Sequence, residues 1–175
     1  IGCTFDGNST SGQGGALYFT SGSDTYVSDC EFTNDTAGAQ GGAIYFLGNV
    51  QGTIAWIYRF VFAGNSAANG GAVYTGMGDY EITNCTFSGN LASGLGGGLY
   101  TSFIGHPTIT NCTFSGNRAA SGGGIYSTTS YELLRIHNCV LWSNESSETA
   151  NDQIDGEYLT TVEVQYTDIA QTSTR

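Results

Sequence analysis

One phrase, I-x-N-C-x-F-x-x-N, returns along this chain, and about ten residues after its Phe comes G-G-A/G-aliphatic-Tyr. Its Cys position is held by Cys3, Cys30, Phe60, Cys85, Cys112 and Cys139, at spacings of 27, 30, 25, 27 and 27 residues. Two residues on stand Phe5, Phe32, Phe62, Phe87, Phe114 and Leu141, and three beyond those Asn8, Asp35, Asn65, Asn90, Asn117 and Asn144. The glycine phrase brings Leu17, Ile44, Val73, Leu99 and Ile125, each followed by Tyr: Tyr18, Tyr45, Tyr74, Tyr100 and Tyr126. Val27, Ile57, Ile82, Ile109 and Ile136 lie three residues before the Cys position, and Asp29, Arg59, Asn84, Asn111 and Asn138 directly before it. A degenerate last copy places Ile154 in the aliphatic column, Thr167 in the Cys column and Ile169 in the Phe column.

A period of this length means stacked units, none of which buries an apolar face alone. Each copy holds three short apolar clusters between Gly, Asn or Ser corners, and none reaches the roughly ten residues a helix needs. Leucine-rich repeats would require L-x-x-L-x-L-x-x-N, and propeller blades about 40 residues or more. The expectation is an all-β fold, a right-handed parallel β-helix (solenoid) of about 27 residues per coil with three short strands per coil and six to seven rungs. Residues 1–175 form one domain in this reading, and the tract 146–156, which loses its glycines, an irregular acidic loop within the last coil.

In such a stack equivalent strands lie about 4.8 Å apart, so each column becomes a ladder. The aliphatic, Cys and Phe columns are expected to fill the bore. Ile82 and Cys85 are three residues apart, so both point inward only if the chain bends between them, at Asn84. The Asn before Cys and the Asn after Phe are both placed at corners, where Asn tolerates left-handed geometry and bonds backbone groups. Gly-Gly marks a position where a side chain would collide with the next coil. Alternation from the aliphatic column turns the following Tyr outward.

Composition agrees with strands and turns: 27 Gly and one Pro, with 39% hydrophobic and 13% aromatic residues recurring at set positions, which disordered linkers do not show. The net charge of −11 reflects 15 acidic residues against Arg59, Arg118, Arg135 and Arg175. Clusters that would neutralise phosphates are missing from the sequence, which argues against nucleic acid and anionic membranes as partners. The most apolar run, Ile54 to Ala63, is ten residues long and contains Arg59, well short of the roughly 20 a membrane-spanning helix needs, so no membrane insertion is expected in this segment. The N-terminus IGCTFDGN begins in mid-motif without a start Met, and a fragment or mature piece of a longer chain is expected.

The phrases GGAIY at Gly41 to Tyr45 and CTFSGN at Cys85 to Asn90 and Cys112 to Asn117 resemble the repeats of the polymorphic outer-membrane protein family. The chain also resembles the large glycine-rich right-handed β-helix proteins of bacterial surfaces. Its passage from Ile136 to Ala170 looks like the segment that closes such helices ahead of a cell-surface anchor. The resemblance implies a secreted or surface-displayed β-helix of adhesive or structural type. It covers the whole chain, but its matching residues are core and corner residues, so it speaks to fold more than to ligand.

The chemistry-bearing residues point the same way. Five Cys on one ladder hold parallel Cβ atoms near the coil spacing, wider than a disulfide accepts, so buried free thiols are expected. No C-x-x-C or Cys/His pair has metal-ligand spacing, and neither metal nor cofactor is expected. His106 sits beside Pro107 and His137 between Ile136 and Asn138, without an evident acid or nucleophile partner. β-Helices also carry polysaccharide lyases and hydrolases, whose chemistry needs paired carboxylates, or acidic calcium ligands with a base. Here the acids Asp24, Asp29, Asp35, Asp79 and Glu81 are scattered, and only Arg59, Arg118 and Arg135 lie within the coils, so no catalytic residue is assigned. The calcium nonapeptide G-G-x-G-x-D does not occur, and the column Thr4, Thr86, Thr113, which an ice-binding face would need as a regular Thr ladder, is broken by Glu31, Val61 and Val140. Of the sequons at Asn8, Asn34, Asn84, Asn111 and Asn144, Asn34 is the glycan candidate, lying off the ladders. The expected function is a non-catalytic extracellular or cell-surface module, structural or adhesive, with a glycan, a host surface or further copies stacked head to tail as partners. A polysaccharide-binding or polysaccharide-degrading domain is the alternative.

Overall fold

In the computed structural model of the chain, the described residues are 2–20, 25–48, 54–102, 107–128, 133–148, 152–157 and 162–169. They form short strands without a helix. One coil illustrates the rest: Thr86–Ser88, Leu91–Ala92, Leu99–Ser102 and Thr108–Thr110. Each of these pairs in parallel with its equivalents one coil before and after. Phe87 lies between Phe62 and Phe114, Tyr100 between Tyr74 and Tyr126, and Ile109 between Ile82 and Ile136. The ladders make one seven-stranded and three six-stranded sheets wrapped about a common bore. Fold class, period and the stacking of like on like are as the repeat predicts.

Coils have four strands rather than the expected three. The additional ladder begins directly after the Asn column with two-residue strands such as Thr36–Ala37, Leu91–Ala92 and Arg118–Ala119. Its inward residues are Ala37, Ala67, Ala92, Ala119 and Ser146, all buried. Such small side chains add little to an apolar pattern, which is why hydrophobic clustering overlooked a strand there.

The irregular spacings of 30 and 25 do not disturb the register. The longer one arises where the chain passes from the Tyr ladder to the Ile ladder, where 12 residues separate Tyr45 from Ile57 and 9 separate Tyr100 from Ile109. The shorter one loses a residue there, with 8 from Tyr74 to Ile82, and another between the Asn and aliphatic columns, with 8 from Asn65 to Val73 against 9 from Asn90 to Leu99. Variation thus falls at two places in the coil, before the aliphatic column and before the Ile ladder, and is largest at the second.

Bends occur where the backbone enters left-handed conformation. Asp29, Arg59, Asn84, Asn111 and Asn138, directly before the Cys column, all have φ between 52° and 58°, as does Tyr166 at 50° in the last copy. Asn is well suited to this region and Arg and Tyr are not. The second expected Asn corner is corrected. At the Asn column itself φ is not positive; the bend falls one residue earlier, at Gly7, Asn34, Gly64, Gly89, Gly116 and Ser143. Placing the bend there turns Asp35, Asn65, Asn90, Asn117 and Asn144 into the bore, where they are fully buried.

The Gly-Gly expectation holds. A Cβ on Gly42 would stand 2.0 Å from the Gly71 carbonyl oxygen, and one on Gly71 would stand 2.2 Å from that of Gly97. Glycine lets backbones of successive coils approach this closely. The degenerate last copy also falls in register: Ile154 pairs with Ile125 and Ile169 with Leu141. The tract 146–156 is irregular only in part, since Ser146 ends one strand and Ile154–Asp155 forms another, while residues 149–151 lie outside the described residues.

Candidate functional site

Three buried columns run side by side through the bore. Rings of Phe5, Phe32, Phe62, Phe87 and Phe114 stack with centroids 4.4–5.2 Å apart, and Leu141 continues the file. Face-to-face contact between rings in register follows from the coil spacing and adds to the gain from burial. Phe60, which replaces Cys in its coil, packs edge-on against Phe32 and Phe62, so a large ring fills the Cys position without breaking the stack.

Cys85, Cys112 and Cys139 stand in single file. The Cys85 backbone N–H donates to Cys112 Sγ and the Cys112 N–H to Cys139 Sγ, both at 3.4 Å. Each thiol in turn donates to the carbonyl two residues earlier: Cys30 to Ser28, Cys85 to Thr83, Cys112 to Thr110 and Cys139 to His137, at 3.2–3.3 Å. The column therefore satisfies backbone groups at the bend as well as filling space. None of the five Cys is in a disulfide; Cys3, on the first rung, is exposed and the other four are buried. Cys139, Cys85 and burial together push the Cys112 thiol far above its ordinary value, which keeps it protonated. In the last copy Thr167 does the same work, accepting from the Cys139 N–H at 3.3 Å and donating to the Gln165 carbonyl at 3.0 Å.

The Asn column is a ladder of side-chain amides. Oδ1 of Asn90 accepts from both the backbone N–H and Nδ2 of Asn65, each at 3.0 Å, while Nδ2 of Asn90 donates to the Phe62 carbonyl and to Asn117 Oδ1. Asn117 and Asn144 repeat the pattern, and Gln153 receives the final amide bond from Asn144. At the other end Asn8, which is exposed, donates twice to Asp35 Oδ1 at 2.8 Å.

Tyrosines form a fourth file, Tyr18 to Tyr126, with centroids 4.8–5.5 Å apart. They alternate with the bore-facing residues of their strands, outward as expected. Tyr45, Tyr74 and Tyr126 are nevertheless buried, and burial raises the pKa of each hydroxyl. Only Tyr18 of the five is strongly exposed, at 52%.

Scattered in sequence, Arg59, Arg118 and Arg135 each meet an acid one coil away on the outer face. Arg59 donates to both carboxylate oxygens of Asp29, and this contact, with one from Ser28, holds the Asp29 pKa down to about 2. Arg118 donates to Glu145 Oε2 at 2.8 Å, and Arg135 lies 3.6 Å from Glu163, which His137 also approaches at 3.8 Å. Glu81 accepts from the Tyr58 hydroxyl. Asp24 and His106 lie outside the described residues. Asn34 is exposed but not off the ladders: it takes a left-handed corner, and its amide donates to Asp6 at 3.1 Å. Asn84 and Asn111 are also exposed corners, whereas Asn144 is buried.

A groove of about 340 Å³ runs across the short strands, walled by Leu91, Ser93, Arg118, Ala120, Glu145 and Ser147. Sequence reasoning missed it because it missed the ladder beneath. The small column two residues after the Asn position was the available signal.

A model of the right-handed β-helix region matches residues 1–160. The chain belongs to this family. Comparison with curated proteins and with solved structures gives no match. For this β-helix the family sets the architecture, while a chemistry would have to come from side chains on its outer faces.

Proposed function

We propose that this β-helix is a non-catalytic, extracellular or cell-surface module, a stiff rod that presents an irregular outer surface to a glycan, a host surface or another copy of itself. The supporting observation is the division of labour between faces. Residues that repeat from coil to coil point inward, bond to the next coil, or, like the Tyr file, stack against their own equivalents one coil away. The outward positions of the Phe ladder do not repeat: Thr4, Glu31, Val61, Thr86, Thr113, Val140 and Asp168 lie over one another in register. Identical columns inside make the stack rigid, and a varied outside suits recognition of a particular surface better than of a periodic one. Trp142, about half exposed, is an apolar anchor of the kind such contacts use.

Glycan-array binding and light scattering of the purified protein test this reading. Expected are array binding that weakens in Trp142→Ala, or assembly into particles longer than one chain. A blank array together with discrete monomers at high concentration overturns it. Release of reducing ends from a polysaccharide panel would replace it with the degrading alternative.

A further inference from the structure

Asp35 is the acidic member of an amide ladder, and its surroundings are those of an amide. Its Oδ1 stands where every Asn of the column places its carbonyl oxygen, accepting from the backbone N–H and Nδ2 of Asn8. Oδ2 must then occupy the Nδ2 position. In the next three coils that atom donates twice, to the Phe carbonyl of the preceding coil and to Oδ1 of the following Asn: Asn65 to Phe32 and Asn90, Asn90 to Phe62 and Asn117, Asn117 to Phe87 and Asn144. For Asp35 the same register puts Oδ2 before the Phe5 carbonyl and Asn65 Oδ1, two acceptors. Asp35 is fully buried, and its Oδ2 has no hydrogen-bond donor. A carboxylate there would confront two oxygens without water to screen them.

We infer that Asp35 is uncharged in the folded protein at neutral pH, its Oδ2 holding a proton that it donates in place of the missing amide hydrogen. The acid becomes a near-isostere of Asn with one donor hydrogen where each amide nitrogen has two, so it serves one of the two acceptors before it. Burial raises its pKa, the Asn8 bonds oppose that rise, and Asp6 of the preceding coil adds to it as a like charge. Losing the proton would leave the Asn8 bonds in place but set a carboxylate oxygen against the Phe5 carbonyl and Asn65 Oδ1, which makes this rung a proton-sensitive seam.

The sign follows from linkage. The folded chain keeps a proton that the unfolded chain releases near the ordinary Asp value of about 3.9, so stability falls as pH rises from there to the folded midpoint and is level above it. Over that window the folded-to-unfolded ratio of the protein should drop about tenfold per pH unit relative to Asp35→Asn, which carries its hydrogen permanently. Urea denaturation of both proteins across the pH range reads this gap. The Asp35 carboxyl carbon followed by NMR in the unaltered protein reads the proton directly and needs no variant. A carboxyl midpoint above neutral pH, with a gap that widens from acid toward neutral pH, is expected. A midpoint below neutral pH, or a gap that does not change with pH, overturns the inference.

Discussion

Replacing Asn90 with Ala removes the middle link of the amide ladder, and the cost can be worked bond by bond. Four buried hydrogen bonds disappear: two accepted by Oδ1 from Asn65, and two donated by Nδ2 to the Phe62 carbonyl and Asn117 Oδ1. Two of the groups left behind keep a partner, since Asn65 Nδ2 still reaches the Phe32 carbonyl and Asn117 Oδ1 still accepts from the Asn90 backbone. The Asn65 N–H and the Phe62 carbonyl each lose the bond Asn90 made to them. At about 1–3 kcal/mol for the buried Asn65 N–H left without its acceptor and about 1 kcal/mol for the bond lost at the Phe62 carbonyl, whose strand stays paired, less the side-chain entropy recovered, the expected loss is about 3 kcal/mol. For a chain of this size that corresponds to a fall in Tm of about 6–12 °C. Urea denaturation measures the loss, and amide hydrogen exchange should show protection falling at Asn65. A loss below about 1 kcal/mol with unchanged exchange at Asn65 would refute the view that this column holds successive coils together.

Two glycines should separate close approach from backbone conformation. Gly71→Ala drives a Cβ to 2.2 Å from one backbone oxygen and 2.7 Å from another and should cost more than about 3 kcal/mol, whereas Gly89→Ala, with φ of 63° and open space around it, should cost only about 1 kcal/mol in urea titrations. Truncating Phe87 to Ala, between rings 4.8 Å and 4.4 Å away, should lower stability by about 3–5 kcal/mol by the same measurement. Of the five Cys, Cys3 alone should react promptly with a thiol reagent in the native state and all five after denaturation; prompt reaction of two or more would contradict the buried file. Arg59→Asn should raise the Asp29 midpoint from about 2 toward the ordinary carboxylate range in an NMR titration, because the first cause of its depression is gone. With its folded pKa lowered, Asp29 favours the fold above the ordinary range and that contribution is lost as pH falls toward 2; the variant should lose this acid sensitivity.

Much of this architecture is legible without coordinates because a solenoid repeats its environment. When each coil sits on a near copy of itself, equivalent residues meet the same neighbours, and the sequence carries the contact map as a period. Columns at Cys85, Phe87, Leu99 and Ile109 therefore declare the fold, the register and the bore together, and the left-handed bend at Asn84 follows from counting three residues between two inward positions. Other features depend on geometry that one-dimensional spacing does not carry. Asn90 looks like a corner residue until the bend is found at Gly89, one position earlier; that single step turns an exposed cap into a buried amide ladder. The Ala92 ladder is hidden because a small side chain suffices where the walls of the bore converge. Pairs such as Asp29 with Arg59 and Arg118 with Glu145, distant in sequence, meet only because winding brings positions 27 or 30 residues apart into contact. Asp35 reads in the sequence as a conservative change in an Asn column. Only the stack, with donors before one carboxyl oxygen and acceptors before the other, bears on whether the acid behaves as an amide.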